Sequence, residues 1–190
     1  MSTRTLLAGF TLALSLPAQT AVTLLPARDT TLYQSATGSI ANGSGTRIFV
    51  GRNSGGGSGG SASSRRRAIL QFDVASAIPP GAAILTASLE LTVEQTSATQ
   101  PSVAFAHRVT AGWLEGAVVA QGAGGGGGAA VAGETTWLHR DYPSVLWASP
   151  GGDFDPTPSF TLPLPLSGAT ASAPTPGLVS DVQLWADNPA

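Results

Sequence analysis

Between Ala83 and Glu94 the side chains alternate without a break. Leu85, Ala87, Leu89, Leu91 and Val93 share one face, and Thr86, Ser88, Glu90, Thr92 and Glu94 share the other. A period of two marks a strand with one covered and one wet face, the habit of antiparallel sheets. A helix would scatter the same residues around its axis. Shorter runs repeat the pattern at Thr30–Gln34, Thr46–Val50 and Ala68–Val74. Ser102–Val109 keeps Val103, Phe105, His107 and Val109 in phase and is expected to be the hairpin partner of the long strand. Ser159–Leu166 alternates too, but Pro163 and Pro165 confine it to a sheet edge.

The connections are rich in Gly, Pro, Ser and Asn. Gly55–Ser64 and Gly122–Gly128 read as flexible surface loops, and Pro79-Pro80-Gly81 as a turn. One segment carries a helical period: Leu178–Ala186 places Leu178, Val182 and Trp185 about a turn apart, after Gly177 and before Pro189. Many short strands with one or two short helices predict an all-β fold, an antiparallel β-sandwich or jelly roll.

Residues 1–21 read as a secretory signal. Arg4 supplies the positive charge, Leu6–Leu16 the apolar stretch, and small residues follow at Ala18, Thr20 and Ala21. The apolar run is too short to cross a bilayer, which takes about twenty residues, so no membrane insertion is expected. The domain is then 22–190, secreted to the extracellular space or the periplasm. Hydrophobic residues make up 42% and charged residues 11% of the 190, enough apolar material for a core. All nine basic residues are Arg, yet the net charge is −2, which offers no basic field to nucleic acid. There is no cysteine, so disulfides, thiol catalysis and thiolate metal sites are excluded.

Motifs for catalysis are weak. The G-x-S-x-G match at Gly56–Gly60 lies inside a glycine–serine tract, without the strand–turn–helix that gives this motif its chemistry. Of the two histidines, His107 follows the phase of an apolar strand face and reads as a partly buried, hydrogen-bonded residue. His139 lies in Thr136-Trp137-Leu138-His139-Arg140-Asp141-Tyr142, where a His–Asp pair would suit general-base work, but no nucleophile accompanies it. Glu90 and Glu94 read as solubilising charges. Asp153 and Asp155 sit in a turn where Asp commonly bonds its own backbone. Asp29, in the first strand, and Asp181, in the last element, are candidate ligands for one structural Ca2+, because the termini of a jelly roll tend to meet.

Two features suit ligand binding. Arg65-Arg66-Arg67 precedes the strand at Ala68, and its guanidinium forks suit carboxylates; exposed charges guarding a strand edge are the plainer reading. Of Trp113, Trp137, Trp147 and Trp185, the pair Trp137 and Trp147 is expected to be exposed and able to stack on sugar rings.

Several runs, taken in order, resemble one family. They are Arg66-Arg67-Ala68-Ile69-Leu70-Gln71-Phe72-Asp73, Ile78-Pro79-Pro80-Gly81-Ala82 and Leu85-Thr86-Ala87-Ser88-Leu89-Glu90-Leu91, then Trp113-Leu114-Glu115-Gly116 and Thr136-Trp137-Leu138-His139-Arg140. Gly151-Gly152-Asp153-Phe154 and Val179-Ser180-Asp181-Val182-Gln183-Leu184-Trp185 complete the series. Together they resemble the DNRLRE-domain family, although the DNRLRE string itself is absent. The resemblance implies a secreted β-sandwich related to a carbohydrate-binding module family with alginate-binding members. It also implies two further strands after Asp187–Pro189, so that 22–190 is expected to lack the last strands. The resulting expectation is a non-catalytic module that binds a polysaccharide or cell-surface glycan through Arg66, Arg67, Trp137, His139, Arg140 and Trp147. A structural or adhesive domain serving other extracellular domains is the alternative. A lyase or hydrolase is the less favoured third, with His139, Arg140 and Tyr142 as its only cluster.

Overall fold

The computed structural model describes residues 19–53 and 65–188. Of the signal reading at residues 1–21, residues 1–18 lie outside the described residues, as do the whole Gly55–Ser64 tract and its G-x-S-x-G match.

Among the described residues strand outweighs helix, in small antiparallel sheets. The largest sheet holds β1 (Arg28–Tyr33), β4 (Arg65–Gln71) and β3 (Gly51–Arg52), in the order β1-β4-β3. Four two-stranded sheets complete the set. β2 (Ile40–Ala41) pairs with β7 (Gly128–Ala129), and β5 (Glu90–Val93) with β11 (Gly168–Ala171). β6 (Ser102–Ala106) pairs with β10 (Phe160–Leu164), and β8 (His139–Asp141) with β9 (Val145–Leu146). The helices are α1 (Val74–Ala77) and α2 (Pro176–Asp187). Among the described residues no helix is long and apolar enough to cross a membrane.

Local chemistry accounts for several of these elements. Asp73 caps α1 by accepting the Ser76 N–H at 3.2 Å. In the turn that follows, Ala82 N–H donates to the Pro79 carbonyl at 3.1 Å, with Pro80 and Gly81 in the middle. Gly81 has φ of 78°, which a type II turn demands of its third residue. Thr175 caps α2 by accepting the Leu178 N–H at 3.2 Å, and Pro176 occupies the first turn, where its missing N–H costs nothing.

Strand β1 departs from the half-buried reading. Thr30, Thr31, Leu32 and Tyr33 are all buried, so both faces of this strand are covered. Leu32 packs into a core with Ile69, Trp113, Trp137 and Trp147. On the opposite face, Tyr33 donates its hydroxyl to the Gly124 carbonyl at 2.8 Å and lies 6.3 Å from the Phe49 ring. The Gly122–Gly128 segment is therefore no free surface loop. Gly124 is buried, and a methyl group on Gly127 would lie 2.3 Å from Ile40 Cγ2. Glycine is what lets this backbone lie against the sheet.

The strand pairing also differs from expectation. Ser102–Val109 does not form a hairpin with Ala83–Glu94; its paired part, β6, takes β10, and β5 takes β11. Alternation marks which residues share a face of a strand and carries no information about its neighbour. Side chains still alternate in exposure from Ala87 to Glu94, but only Glu90–Val93 is paired strand. Further back, a helix side chain replaces a strand partner: Gln183 Oε1 accepts the Ile84 N–H at 2.9 Å, and its Nε2 donates to the Ala82 carbonyl at 3.1 Å. Thr46–Val50 is irregular, and β3 begins after it. β10 carries Pro163 opposite Val103 at the edge of a two-stranded sheet, the position proline requires.

Candidate functional site

Strand register sorts the arginine run. Arg66 pairs across from Tyr33 and Arg67 across from Leu32. Successive side chains leave a strand on opposite faces, so the two neighbours serve different surfaces. The Arg66 guanidinium lies 5.6 Å from the centroid of the Tyr33 ring and 5.7 Å from that of Phe49. Its Nε–H is buried and has no hydrogen-bond acceptor, and no described carboxylate pairs with it. A methyl group on Gly125 would lie 3.7 Å from Arg66 Nη1, so the glycine-rich segment borders the guanidinium without a side chain of its own. Arg65 and Arg52 pair between β4 and β3, both exposed, and by the same alternation Arg65 leaves the strand on the Arg67 side.

Arg67 is committed elsewhere. Its guanidinium lies over Trp137 and Phe154 and donates to the Gly151 carbonyl at 2.6 Å. Burial, with the charge of Arg65 second, pulls its pKa below the usual arginine range.

The expected sugar-stacking pair is not on the surface. Trp137 is 6% exposed and Trp147 5%. Both belong to the core around Leu32, and Trp147 Nε1–H donates to the Thr136 carbonyl at 3.0 Å. A dense polar and aromatic run looks like a binding surface in sequence. Here Thr136 of that run and Thr135 just before it are buried and use their hydroxyls on His139 and on the Arg140 carbonyl.

His139 and Arg140 lie on β8. His139 Nδ1 is 3.1 Å from Thr136 Oγ1, and its ring meets Tyr142 edge-on at 5.1 Å. Arg140 Nη1 donates to the Gly112 carbonyl at 3.3 Å. Of the six expected ligand-binding residues, Arg67, Trp137 and Trp147 thus gather inside the molecule, while Arg66 faces the other side of the sheet. His107 is half-buried and bonded through Nδ1 to the Asp155 carbonyl at 2.8 Å, whereas Val103 and Phe105, in the same strand phase, are exposed. Asp153 bonds its own turn, accepting the Ala148 and Ser149 N–H groups at 3.0 and 2.9 Å.

Asp29 and Asp181 have different partners. Asp181 is neutralised by Arg108 Nε at 3.1 Å and accepts from the Ser159 hydroxyl, which leaves it poorly placed to ligate an ion. The Asp29 N–H donates to Glu115 Oε1 at 3.1 Å. Burial, and then the negative charge of Glu115, raise the Asp29 carboxyl above its ordinary range. No three His, Asp or Glu side chains converge as a metal cluster among the described residues. The sequence reading passed over Tyr33, Phe49 and Glu134. Glu134 is fully buried, whereas a lone glutamate in a Gly-rich stretch reads as solvated. The one local hint is the glycine beside each acid, at Glu115-Gly116 and Gly133-Glu134.

Compared with protein-family models, with curated proteins and with solved structures, the chain matches none.

Proposed function

We propose that this chain is a secreted, non-catalytic module of β-sandwich type that binds an anionic polysaccharide, with Arg66 as the anchoring cation. The observation that carries the reading is the buried Arg66 Nε–H without an acceptor, on a guanidinium already stacked against Tyr33 and Phe49. A buried donor left unsatisfied is costly, and a uronate carboxylate offers the paired oxygens that a guanidinium fork accepts. Tyr33 and Phe49 hold the fork in place, which lowers the entropy lost on binding. The glycine backbone at 124–127 lets a sugar chain approach closely. The signal-like sequence at residues 1–21 and the ordered resemblance to the DNRLRE-domain family support an extracellular glycan as the ligand.

A second reading, a structural or adhesive domain, draws support from a different surface. Val103 and Phe105 on β6 are 55% and 65% exposed, and Leu85 is 65% exposed. Apolar side chains so placed suit packing against another extracellular domain.

A panel of alginate, polygalacturonate and a neutral glucan, scored for both binding and bond cleavage, separates the readings. Binding of the acidic polymers without cleavage is expected. Arg66→Ala should weaken it roughly 10- to 100-fold, the value of a charge-assisted hydrogen bond. Cleavage would move the chain to the lyases and hydrolases. Absence of binding would favour the structural reading.

A further inference from the structure

The stretch from Ala83 to Glu94 has one satisfied edge and one bare one. The Leu89 carbonyl accepts the Ser172 N–H at 2.9 Å, and the Leu89 N–H donates to the Ser172 hydroxyl at 3.0 Å. Odd-numbered residues here thus turn their main chain toward β11. Even-numbered residues turn theirs the other way, because both main-chain groups of a residue in an antiparallel strand point to one side and neighbours alternate. On that second edge the Gln183 side chain serves Ile84 and Ala82, offering one acceptor and one donor as a neighbouring strand would. Beyond it, no described residue bonds the main-chain groups of Thr86, Ser88, Glu90 or Thr92.

The same stretch lines a cleft of about 2870 Å³ that β4, β6, β10 and α2 also border. Leu85, Leu91, Phe105, Leu162, Leu164 and Val182 give it an apolar wall, and Leu85 and Phe105 are each 65% exposed. Pockets for small ligands measure roughly 300–1,000 Å³, so this one suits something larger. A fatty acyl chain could cover the apolar wall. It has no donors or acceptors along its length, however, and would strip water from the bare edge without replacing the hydrogen bonds. An extended polypeptide meets both needs, with apolar side chains at every second position and a main chain that pairs the edge. Charge narrows the choice. Glu94 is held by Arg47, whereas exposed Glu90 has no cationic partner among the described residues.

We propose that this edge and cleft accept a β-strand from a separate polypeptide. The segment carries apolar side chains at alternate positions and a Lys or Arg between them, opposite Glu90. Its main chain extends the β11-β5 sheet past β5, its apolar side chains enter the cleft, and its basic residue meets Glu90 across the ladder. A second copy of this chain fits less well, because Ala83–Glu94 holds two glutamates and no basic residue to set against them. The site gives the structural or adhesive reading its partner and rests on that reading. Arg66 does not line the cleft, so the polysaccharide reading stands or falls separately.

The test uses the full chain and a synthetic peptide of about nine residues, long enough to span Ile84–Thr92 at about 3.4 Å per residue. Valine alternates with threonine in it, and one lysine sits on the threonine side. Calorimetry is expected to show one peptide bound per chain. Two further peptides are N-methylated, each on one alternate set of amides, and keep every side chain. One of the two should bind at least about tenfold more weakly than the parent, having lost its donors to the edge. Exchanging the lysine for glutamate should weaken binding several-fold. Ser88→Pro removes one main-chain donor from the bare edge and should weaken binding roughly fivefold; the peptide series decides if that variant does not fold. Arg66→Ala should bind the peptide as wild type does. No binding of the parent peptide, equal binding of both methylated forms, or an Arg66→Ala chain that has lost the peptide would overturn the proposal. So would displacement of the peptide by oleate, or a dimer of the chain that the peptide fails to dissociate.

Discussion

The Arg67 guanidinium lies across the ring of Trp137, 5.1 Å from its centroid, and 5.0 Å from that of Phe154 on the loop after Gly151. The charge is held between two aromatic faces and donates to the Gly151 carbonyl, joining β4 to the loop at 151–154. Lysine has no planar face to lay on the rings. Arg67→Lys should therefore destabilise the fold by about 1–2 kcal/mol, the combined order of a cation–π contact and a charged hydrogen bond. Urea unfolding checks this. Polysaccharide affinity, measured where the variant is still folded, should not change.

Trp137 and Trp147 should behave as core residues. Trp137→Ala and Trp147→Ala are each expected to cost about 3–5 kcal/mol of stability, as large truncations in a packed interior do. A surface platform would lose ligand affinity at unchanged stability instead. Thermal melts of the two variants distinguish the outcomes.

Tyr33 gives the fold an alkaline limit. Burial pushes its phenol above the ordinary value of about 10, outweighing the pull of Thr31, Arg66 and Asn42 in the other direction. A raised acid stabilises the folded chain in its protonated form. That contribution is whole below the unfolded value and is lost as pH rises through the folded one. Ionisation also removes the proton that Tyr33 donates to Gly124. Tyr33→Phe should lose about 1 kcal/mol near neutral pH, yet lose less than wild type on going to alkaline pH. Urea melts across that range measure the difference.

Arg108 links two parts of the chain that are distant in sequence. Its Nη2 meets Asp155 Oδ2 at 3.2 Å and its Nε meets Asp181 Oδ1 at 3.1 Å, tying the loop at 153–157 to α2. Arg108→Ala should cost about 1.5–3 kcal/mol, because it strands Asp181, whose side chain is mostly buried. Arg108→Lys should recover only part of that, since an ammonium cannot fork between two carboxylates. Thermal melts of the pair provide the comparison.

Legibility in the sequence followed the range of the forces involved. The helix was readable over Leu178–Ala186 from its apolar spacing, while the Thr175 cap and Pro176 start it two residues earlier. The turn at Pro79–Gly81 was readable because its residues are adjacent in the chain. Strand faces were readable from Ala87 to Glu94, where the alternation of exposure matches the alternation of side chains. The candidate site was far less so. Arg66 was visible as a charged strand residue, but Tyr33 and Phe49 reach it from other segments. Glu134 drew no reading at all, because nothing beside it in sequence shows that the segments at 42–44 and 115–118 close over it.

The sequence by itself determined that the chain is strand-rich, that a helix lies within α2, and which residues of a strand share a side. Those features depend on backbone dihedrals, capping groups and a period of two, all settled among near neighbours. Only the tertiary structure decided that β5 pairs with β11 and β6 with β10. It also decided that Trp137 and Trp147 point inward, and that Arg66 and Arg67 divide between two surfaces with different tasks. The physical reason is that pairing and burial depend on which distant segment covers a given face. Alternation along one strand says which residues share a face, and nothing about whether that face is covered or by what.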